Sequence, residues 1–152
     1  MTTVLLETTM GEVRIELFDD KMPITTANFR KLVEKHFYDG TIFHRVIPGF
    51  MIQGGDPQGT GFGGPGYTIR DELPPGNRNS RGTISMANAG PNTGGSQFFI
   101  NVVDNPRLDP KHPAFGRVVG GMEVVDAISR TPTDSQDRPK KKVVVTKATV
   151  LP

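Results

Sequence analysis

Cysteine is absent from this chain of 152 residues, which excludes disulfide bonds, thiol nucleophiles and cysteine-ligated zinc sites. No run of apolar residues exceeds three, which is far too short to span a membrane. The net charge is only +2, so no strong field attracts nucleic acid or an anionic membrane. The chain reaches Glu7 before a signal-like apolar segment forms. We therefore expect a cytoplasmic monomer without nucleic-acid or membrane partners.

Glycine and proline, by contrast, are frequent, with 18 and 13 residues, while hydrophobic residues make up a modest 35%. This composition favours many short elements over long helices. The length suits one domain with one core, and no internal repeat or linker divides it. We expect a single domain over residues 1–152.

Near the N-terminus, residues 13–17 alternate between apolar and polar side chains, which predicts a strand buried on one face. Residues 4–8 are a plausible partner strand. Pro23 follows two acids, as at a helix start. A helix of about three turns should end near Gly40. Its apolar stripe is formed by Phe29, Leu32, Val33 and His36.

The remaining chain predicts further short strands separated by loops rich in glycine and proline. They lie at residues 67–69, 83–86, 97–101, 114–119 and 143–150. A second, shorter helical stripe is formed by Val124, Ala127 and Ile128. Roughly eight strands and two helices predict a mainly β protein, either an antiparallel barrel or a sandwich with helices over its open ends.

Residues 43–57 predict a hairpin, because two runs of β-forming residues flank a Pro-Gly turn. Alternate strand residues share a face, so Arg45, Met51 and Gln53 should lie together, with Phe50 beside the turn. Such a group suits a substrate that is partly apolar and carries a carbonyl or amide. On spacing alone, a core role for Phe50 and Met51 with a solvated Arg45 is the favoured alternative.

A glycine-rich segment follows at residues 59–66, with Gly59, Gly61 and Gly64 spaced as in a dinucleotide-binding fingerprint. That function needs a helix directly afterwards to aim amide dipoles at a pyrophosphate. Here proline, glycine and β-forming residues follow, so a structured surface loop is the better interpretation.

The three histidines, His36, His44 and His112, show neither metal-ligand spacing nor a nucleophile signature nearby. A covalent or metal-dependent mechanism is therefore disfavoured. Chemistry that needs neither a covalent bond nor a proton transfer remains open.

A second long motif occupies residues 85–100, Ser-Met-Ala-Asn-Ala-Gly-Pro-Asn-Thr-Gly-Gly-Ser-Gln-Phe-Phe-Ile. Together with the Phe-His-Arg-Val-Ile-Pro-Gly-Phe-Met-Ile-Gln-Gly-Gly-Asp-Pro of residues 43–57, it resembles the cyclophilin family of peptidyl-prolyl cis-trans isomerases. The resemblance is colinear from the first strand to the last. It implies a closed eight-stranded antiparallel β-barrel capped by two α-helices, with a side-chain-filled interior and the substrate groove on the outer face.

The resemblance also implies the site. Arg45 would be catalytic, without a metal or other cofactor. The substrate-binding positions of the family fall on Phe50, Met51, Gln53, Ala87, Asn88, Gln97, Phe99, Leu108 and His112. Four of these would line the proline pocket: Phe50, Met51, Phe99 and Leu108. Gln53 and the backbone of Asn88 would hold the peptide. Gly59 and Thr93 match the family with a weaker expectation of a direct role.

Two functions remain open at this point. The first is a folding catalyst that accelerates X-Pro rotation, and the second is a proline-peptide-binding or chaperone module with little turnover. Both imply proline-containing peptides and unfolded or folding proteins as partners. Arg107 replaces a tryptophan that contacts cyclosporin in many cyclophilins, so only weak cyclosporin binding is expected.

Overall fold

The computed structural model describes residues 1–152 and confirms the mainly β prediction. Its eight strands are β1 (Thr3–Thr8), β2 (Gly11–Leu17), β3 (Arg45–Ile47), β4 (Met51–Gly54), β5 (Thr83–Met86), β6 (Phe98–Asn101), β7 (Ala114–Gly120) and β8 (Val145–Val150). The helices are α1 (Pro23–Glu34) and α2 (Met122–Ser129), and a 3₁₀ turn covers Pro106–Leu108. None of the helices is long and apolar enough to cross a membrane.

The strands form one antiparallel, curled sheet in the order β3-β4-β6-β5-β7-β2-β1-β8. The prediction of a closed barrel slightly overstates the closure, because the edge strands β3 and β8 do not pair in a regular ladder. The segment before β3 meets the chain ahead of β8 instead: Ile42 forms an isolated bridge to Val144, and the Phe43 N–H donates to the Val143 carbonyl at 3.0 Å. The outer edge of β3 is partly occupied by Asp137, whose carbonyl accepts the N–H of Val46 at 2.8 Å.

One core of 24 buried apolar residues fills the space inside the sheet. Phe29 of α1 lies at its centre, with ring centroids 5.1 Å from Phe115, 5.2 Å from Tyr38 and 5.7 Å from Phe98. The interior is therefore packed with side chains, and the outer face of the sheet is where a groove can form.

The N-terminus of α1 is capped by a distant residue. Pro23 occupies the first turn as predicted, but no side chain next to the helix caps it. Instead the Glu72 carboxylate accepts the N–H groups of Ile24 at 3.1 Å and Thr25 at 2.6 Å. A negative charge at this end also complements the helix dipole.

The C-terminus of α1 corrects the predicted apolar stripe at one position. His36 lies beyond the helix, exposed, with φ of 61°. The N–H groups of His36 and Phe37 donate back to the carbonyls of Val33 and Leu32, which closes the helix in a Schellman arrangement. His36 therefore occupies the left-handed position that glycine usually takes.

Two further predictions needed correction. Residues 67–69 are not a strand, and only Ile69 makes an isolated bridge to Gly94. In α2 the buried apolar residues are Val125 and Ile128, whereas Val124 is half-buried over the β1–β2 turn. The way this short helix packs on the sheet, and not the apolar spacing alone, decides which of its faces is buried.

Candidate active site

The β3–β4 hairpin supplies the centre of the site. Gly49 has φ of 73°, so the Pro-Gly turn needs a residue free to adopt a left-handed conformation. The register pairs Arg45 with Gln53 and Ile47 with Met51. Arg45, Gln53 and Met51 consequently share the outer face, as the alternation predicted.

A pocket of about 250 Å³ opens on this face. It is lined by nine residues: Arg45, Phe50, Met51, Gln53, Ala87, Asn88, Phe99, Leu108 and His112. They come from β3, the Pro-Gly turn, β4, β6 and the segments 87–88 and 105–112. Of the ten predicted site residues, only Gln97 lies outside this lining. Gln97 lines an adjoining cleft of about 630 Å³ that shares Gln53, Ala87 and Asn88 with the pocket.

The floor and one wall of the pocket are apolar. Met51 and Phe99 are only 2% and 4% exposed, yet they lie outside the barrel core because their strand neighbours Ile52 and Ile100 point inward. The ring of Phe99 packs edge-on against His112, with centroids 5.3 Å apart. These side chains are held firmly by packing and can grip a small apolar ring.

The polar groups at the pocket are available for a ligand. Arg45 is exposed, and its guanidinium makes no ion pair or hydrogen bond within the chain. The backbone N–H and C=O of Asn88 also have no partner, while its side chain donates to the carbonyl of Lys111 at 2.8 Å. Gln53 Nε2 donates to Gln97 Oε1 at 3.1 Å, which fixes both amides at the boundary of pocket and cleft.

His112 is fixed by a hydrogen bond from Nδ1 to the Met86 carbonyl, at 3.0 Å. Since a carbonyl only accepts, Nδ1 carries the hydrogen. His44, by contrast, is buried on the opposite side of the chain from Arg45. Burial lowers the pKa of His44, although the nearby Asp56 carboxylate opposes this shift. No group of three or more His, Asp and Glu side chains is placed to hold a metal ion.

The glycine-rich loop at residues 59–66 shapes the adjoining cleft. Its amides donate to the buried carboxylate of Asp56, from Gly61 at 2.6 Å, Thr60 at 3.0 Å and Gly63 at 3.2 Å to Oδ2. Gln58 N–H donates to Oδ1 at 2.8 Å. The amides that a nucleotide interpretation would aim at phosphate are thus taken up by an acid of the chain itself.

A network of buried amides supports the pocket from beneath. Asn105 Nδ2 donates to the Phe50 carbonyl at 3.1 Å and to Asn101 Oδ1 at 2.9 Å. Asn101 Nδ2 donates to Asn79 Oδ1 at 3.4 Å, and Asn79 Nδ2 donates to the His112 carbonyl at 3.0 Å. The network therefore joins the two walls of the pocket that carry Phe50 and His112.

Sequence reasoning missed this network and Asp56. The four-residue spacing of Asn101 and Asn105 is the one sequence feature that relates them. It does not predict a contact, because the two residues lie in a segment predicted as strand and loop and not as helix. Thr93 and Gly59, for which a direct role was only weakly expected, form hydrogen bonds within and between loops. Thr93 Oγ1 accepts the N–H of Ala89 at 2.8 Å, and the Gly59 carbonyl accepts from Arg138 at 2.5 Å.

Comparisons with known proteins identify the family and the fold. The model of the family "Cyclophilin type peptidyl-prolyl cis-trans isomerase/CLD" matches residues 3–150. "Peptidyl-prolyl cis-trans isomerase-like 1" of Gibberella zeae is 49% identical over 99% of this chain and 95% of its own length. "Probable peptidyl-prolyl cis-trans isomerase A" of Mycobacterium leprae is 46% identical over 97% of this chain and 91% of its own length. A crystal structure of a Cryptosporidium parvum cyclophilin type isomerase, in the presence of the dipeptide Ala-Pro, superposes with a TM-score of 0.95 at 36% identity and covers 99% of both chains.

Proposed function

Because the chain belongs to the cyclophilin family and is a peptidyl-prolyl cis-trans isomerase, we propose that X-Pro bonds rotate in its 250 Å³ pocket with Arg45 as the catalytic residue. The observation that carries this proposal is the unpaired guanidinium of Arg45 beside an apolar floor. Such a cation is free to interact with a substrate, because no group of the chain competes for it.

The chemistry follows from the barrier to rotation. Amide resonance sets a barrier of about 18–20 kcal/mol, and X-Pro bonds interconvert in tens to hundreds of seconds. In the twisted amide the proline nitrogen becomes pyramidal and gains a lone pair. A fixed donor aimed at that nitrogen stabilises the twisted form more than the planar one, as catalysis requires. Arg45 supplies such a donor, and no covalent bond or proton transfer is needed.

The pocket would place the substrate for this interaction. The proline ring would lie on Met51 and Phe99, with Phe50 and Leu108 at the rim. The unpartnered backbone of Asn88 would bond the peptide. Gln53, Ala87, Gln97 and His112 would complete the groove. The presence of the dipeptide Ala-Pro with the Cryptosporidium isomerase supports proline-containing segments of unfolded or folding proteins as substrates.

Arg45 cannot supply the whole acceleration. A hundred-thousandfold increase in rate needs about 7 kcal/mol. Removing one preorganised donor typically costs about 3–4 kcal/mol. The remainder is assigned to the apolar pocket, which excludes water and holds the ring while the preceding residue rotates.

Exchange spectroscopy on a short neutral X-Pro peptide tests the proposal. Arg45→Ala should lower kcat/KM about a hundred- to a thousandfold. Arg45→Lys should recover only part of the activity, because a point charge lacks the planar fork of donors. Arg14→Ala is the matched control, since Arg14 is also exposed and unpaired but lies on β2, away from the pocket. Unchanged unfolding curves would show that the variants fold.

Full activity in the alanine variant would remove Arg45 from the mechanism. If the wild-type protein bound the peptide without turnover, the alternative of a proline-peptide-binding or chaperone module would replace the proposed catalyst. A cytoplasmic location and a monomeric state stay predictions, which cell fractionation and light scattering test.

A further inference from the structure

Arg107 lies at the rim of the pocket and is held there by an aromatic ring. It belongs to the 3₁₀ turn Pro106–Leu108, and its guanidinium carbon is 5.5 Å from the ring centroid of Phe50. The side chain is exposed and makes no ion pair or hydrogen bond with the rest of the chain. A guanidinium held over a ring face by cation–π attraction keeps its N–H groups as donors for a ligand.

The acids closest to Arg107 in the sequence are already engaged. Asp104 Oδ1 accepts the N–H of Arg81 at 2.8 Å, and Asp109 Oδ1 accepts the N–H of Asn79 at 2.6 Å. Lys111 adds a second cation to the same segment. Neither acid forms an ion pair with Arg107.

Charge is distributed unevenly along the groove. No acidic residue lines the pocket or the adjoining cleft, and the cleft has no charged lining residue at all. A peptide that crosses from the cleft through the pocket meets Arg45 at the centre and Arg107 only at the far rim. The positive charge of the groove therefore lies in the pocket and at its far rim, and none lies in the cleft.

We propose that Arg107 selects X-Pro substrates that carry Asp or Glu within two residues of the proline, on the side that passes the Phe50 rim. The carboxylate would accept the unpaired N–H groups of this guanidinium, and bidentate pairing matches the geometry of both groups. This inference rests on the proposed function, because it takes the same pocket as the site of the proline.

The expected preference is moderate. An exposed ion pair contributes little, and substrate binding removes only part of the water around Arg107. We expect kcat/KM to be about three- to tenfold higher for the acidic peptide than for its lysine counterpart, from attraction in one and repulsion in the other. Because salt screens exposed charges, the ratio should approach one in about 1 M salt.

The test uses one neutral X-Pro peptide and a set with Asp or Lys at each of the two positions before and after the proline. Wild type should show the Asp-over-Lys preference on one side only. Arg107→Gln should reduce that ratio to about one, and Arg107→Glu should invert it. The control Arg14→Gln removes the same charge far from the groove and should keep the wild-type ratio.

A preference below twofold at every position would overturn the proposal. So would a preference that persists in Arg107→Gln, which would point to Arg45 or Lys111 instead. Turnover of the neutral peptide by wild type and by Arg45→Ala reports separately on the proposed role of Arg45, so the two ideas can fail independently.

Discussion

Replacing Asp56 with Asn should destabilise the protein strongly, although the two side chains have the same shape. The Asp56 residue is fully buried, and its two oxygens accept four backbone N–H groups of the loop that borders the cleft. An asparagine has one acceptor oxygen and one NH₂ donor. If its oxygen replaces Oδ2, it keeps the amides of Thr60, Gly61 and Gly63, and its NH₂ then faces the N–H of Gln58.

The magnitude follows from these four bonds. Leaving one amide without an acceptor costs about 1–3 kcal/mol. The three remaining bonds lose the charge of their acceptor, and charge-assisted bonds are about twice as strong as neutral ones. We expect Asp56→Asn to lower the free energy of unfolding by about 2–4 kcal/mol. In urea this corresponds to a midpoint lower by roughly 1–2 M.

The pH dependence gives a second measurement. Burial alone would raise the pKa of Asp56, but the four amide donors outweigh it and hold the pKa below its ordinary value. Because the pKa of Asp56 is lower in the folded state, its carboxylate stabilises the folded protein fully at pH values above the unfolded-state pKa, near 3.9. This contribution to stability is lost as the pH falls through the folded-state pKa. The difference between wild type and Asp56→Asn should therefore be full at neutral pH and shrink below about pH 4.

Urea titrations followed by circular dichroism at pH 7 and pH 3 provide the assay. Asp20→Asn is the control, because the Asp20 side chain is exposed and accepts no hydrogen bond, and the substitution removes the same charge. It should change the free energy of unfolding by less than about 0.5 kcal/mol. A loss under about 1 kcal/mol in Asp56→Asn, or a difference that stays constant down to pH 3, would refute the reasoning.

Three further changes probe other parts of the molecule. Glu72→Gln removes the charge that caps α1 and should lower the free energy of unfolding by about 1 kcal/mol, which calorimetry would record as a Tm lower by about 2–4 °C. The control Glu12→Gln, at an exposed position, should leave Tm unchanged. Equal Tm values for wild type and Glu72→Gln would contradict the capping role. His36→Gly should stabilise by about 0.5–1 kcal/mol, because glycine adopts the left-handed conformation without strain and the exposed contact to Asp39 contributes little; a lower urea midpoint would argue against this. Arg107→Trp should tighten cyclosporin binding about ten- to a hundredfold, since an indole offers a flat apolar surface without a hydrated charge, and calorimetric titration showing unchanged affinity would dismiss the idea.

Local patterns predicted the centre of the site because its geometry is local. The Pro-Gly turn and the two-residue period of the strands suffice to place Arg45, Met51 and Gln53 on one face. The family resemblance added the residues of the more distant segments, and the structure gathers nine of the ten around one pocket. What the residues do to a substrate remains a proposal.

Features that depend on long-range contacts could not be predicted from the sequence. The cap of α1 comes from Glu72, which lies 47 residues beyond Thr25 in the chain. Apolar spacing extended the helix stripe to His36, but the helix ends at Glu34, and the chain turns so that Tyr38 packs against Phe29 and Phe98. The cation–π contact of Arg107 with Phe50 joins two segments whose separation in sequence carries no periodic signal.

The buried amides under the pocket also constrain how the protein can diversify. The side-chain amides of Asn79, Asn101 and Asn105 each form a hydrogen bond with another polar group. Replacing one of them by an apolar residue would therefore leave a buried polar group without a hydrogen-bond partner. Single replacements are then disfavoured, whereas simultaneous changes that keep every donor matched are tolerated. Substitutions at these three positions should therefore occur together in sequences that descend from this one, whereas the solvated Arg107 can be substituted independently. New substrate preferences would accordingly arise first at the rim, and the shape of the proline pocket would be inherited as a unit.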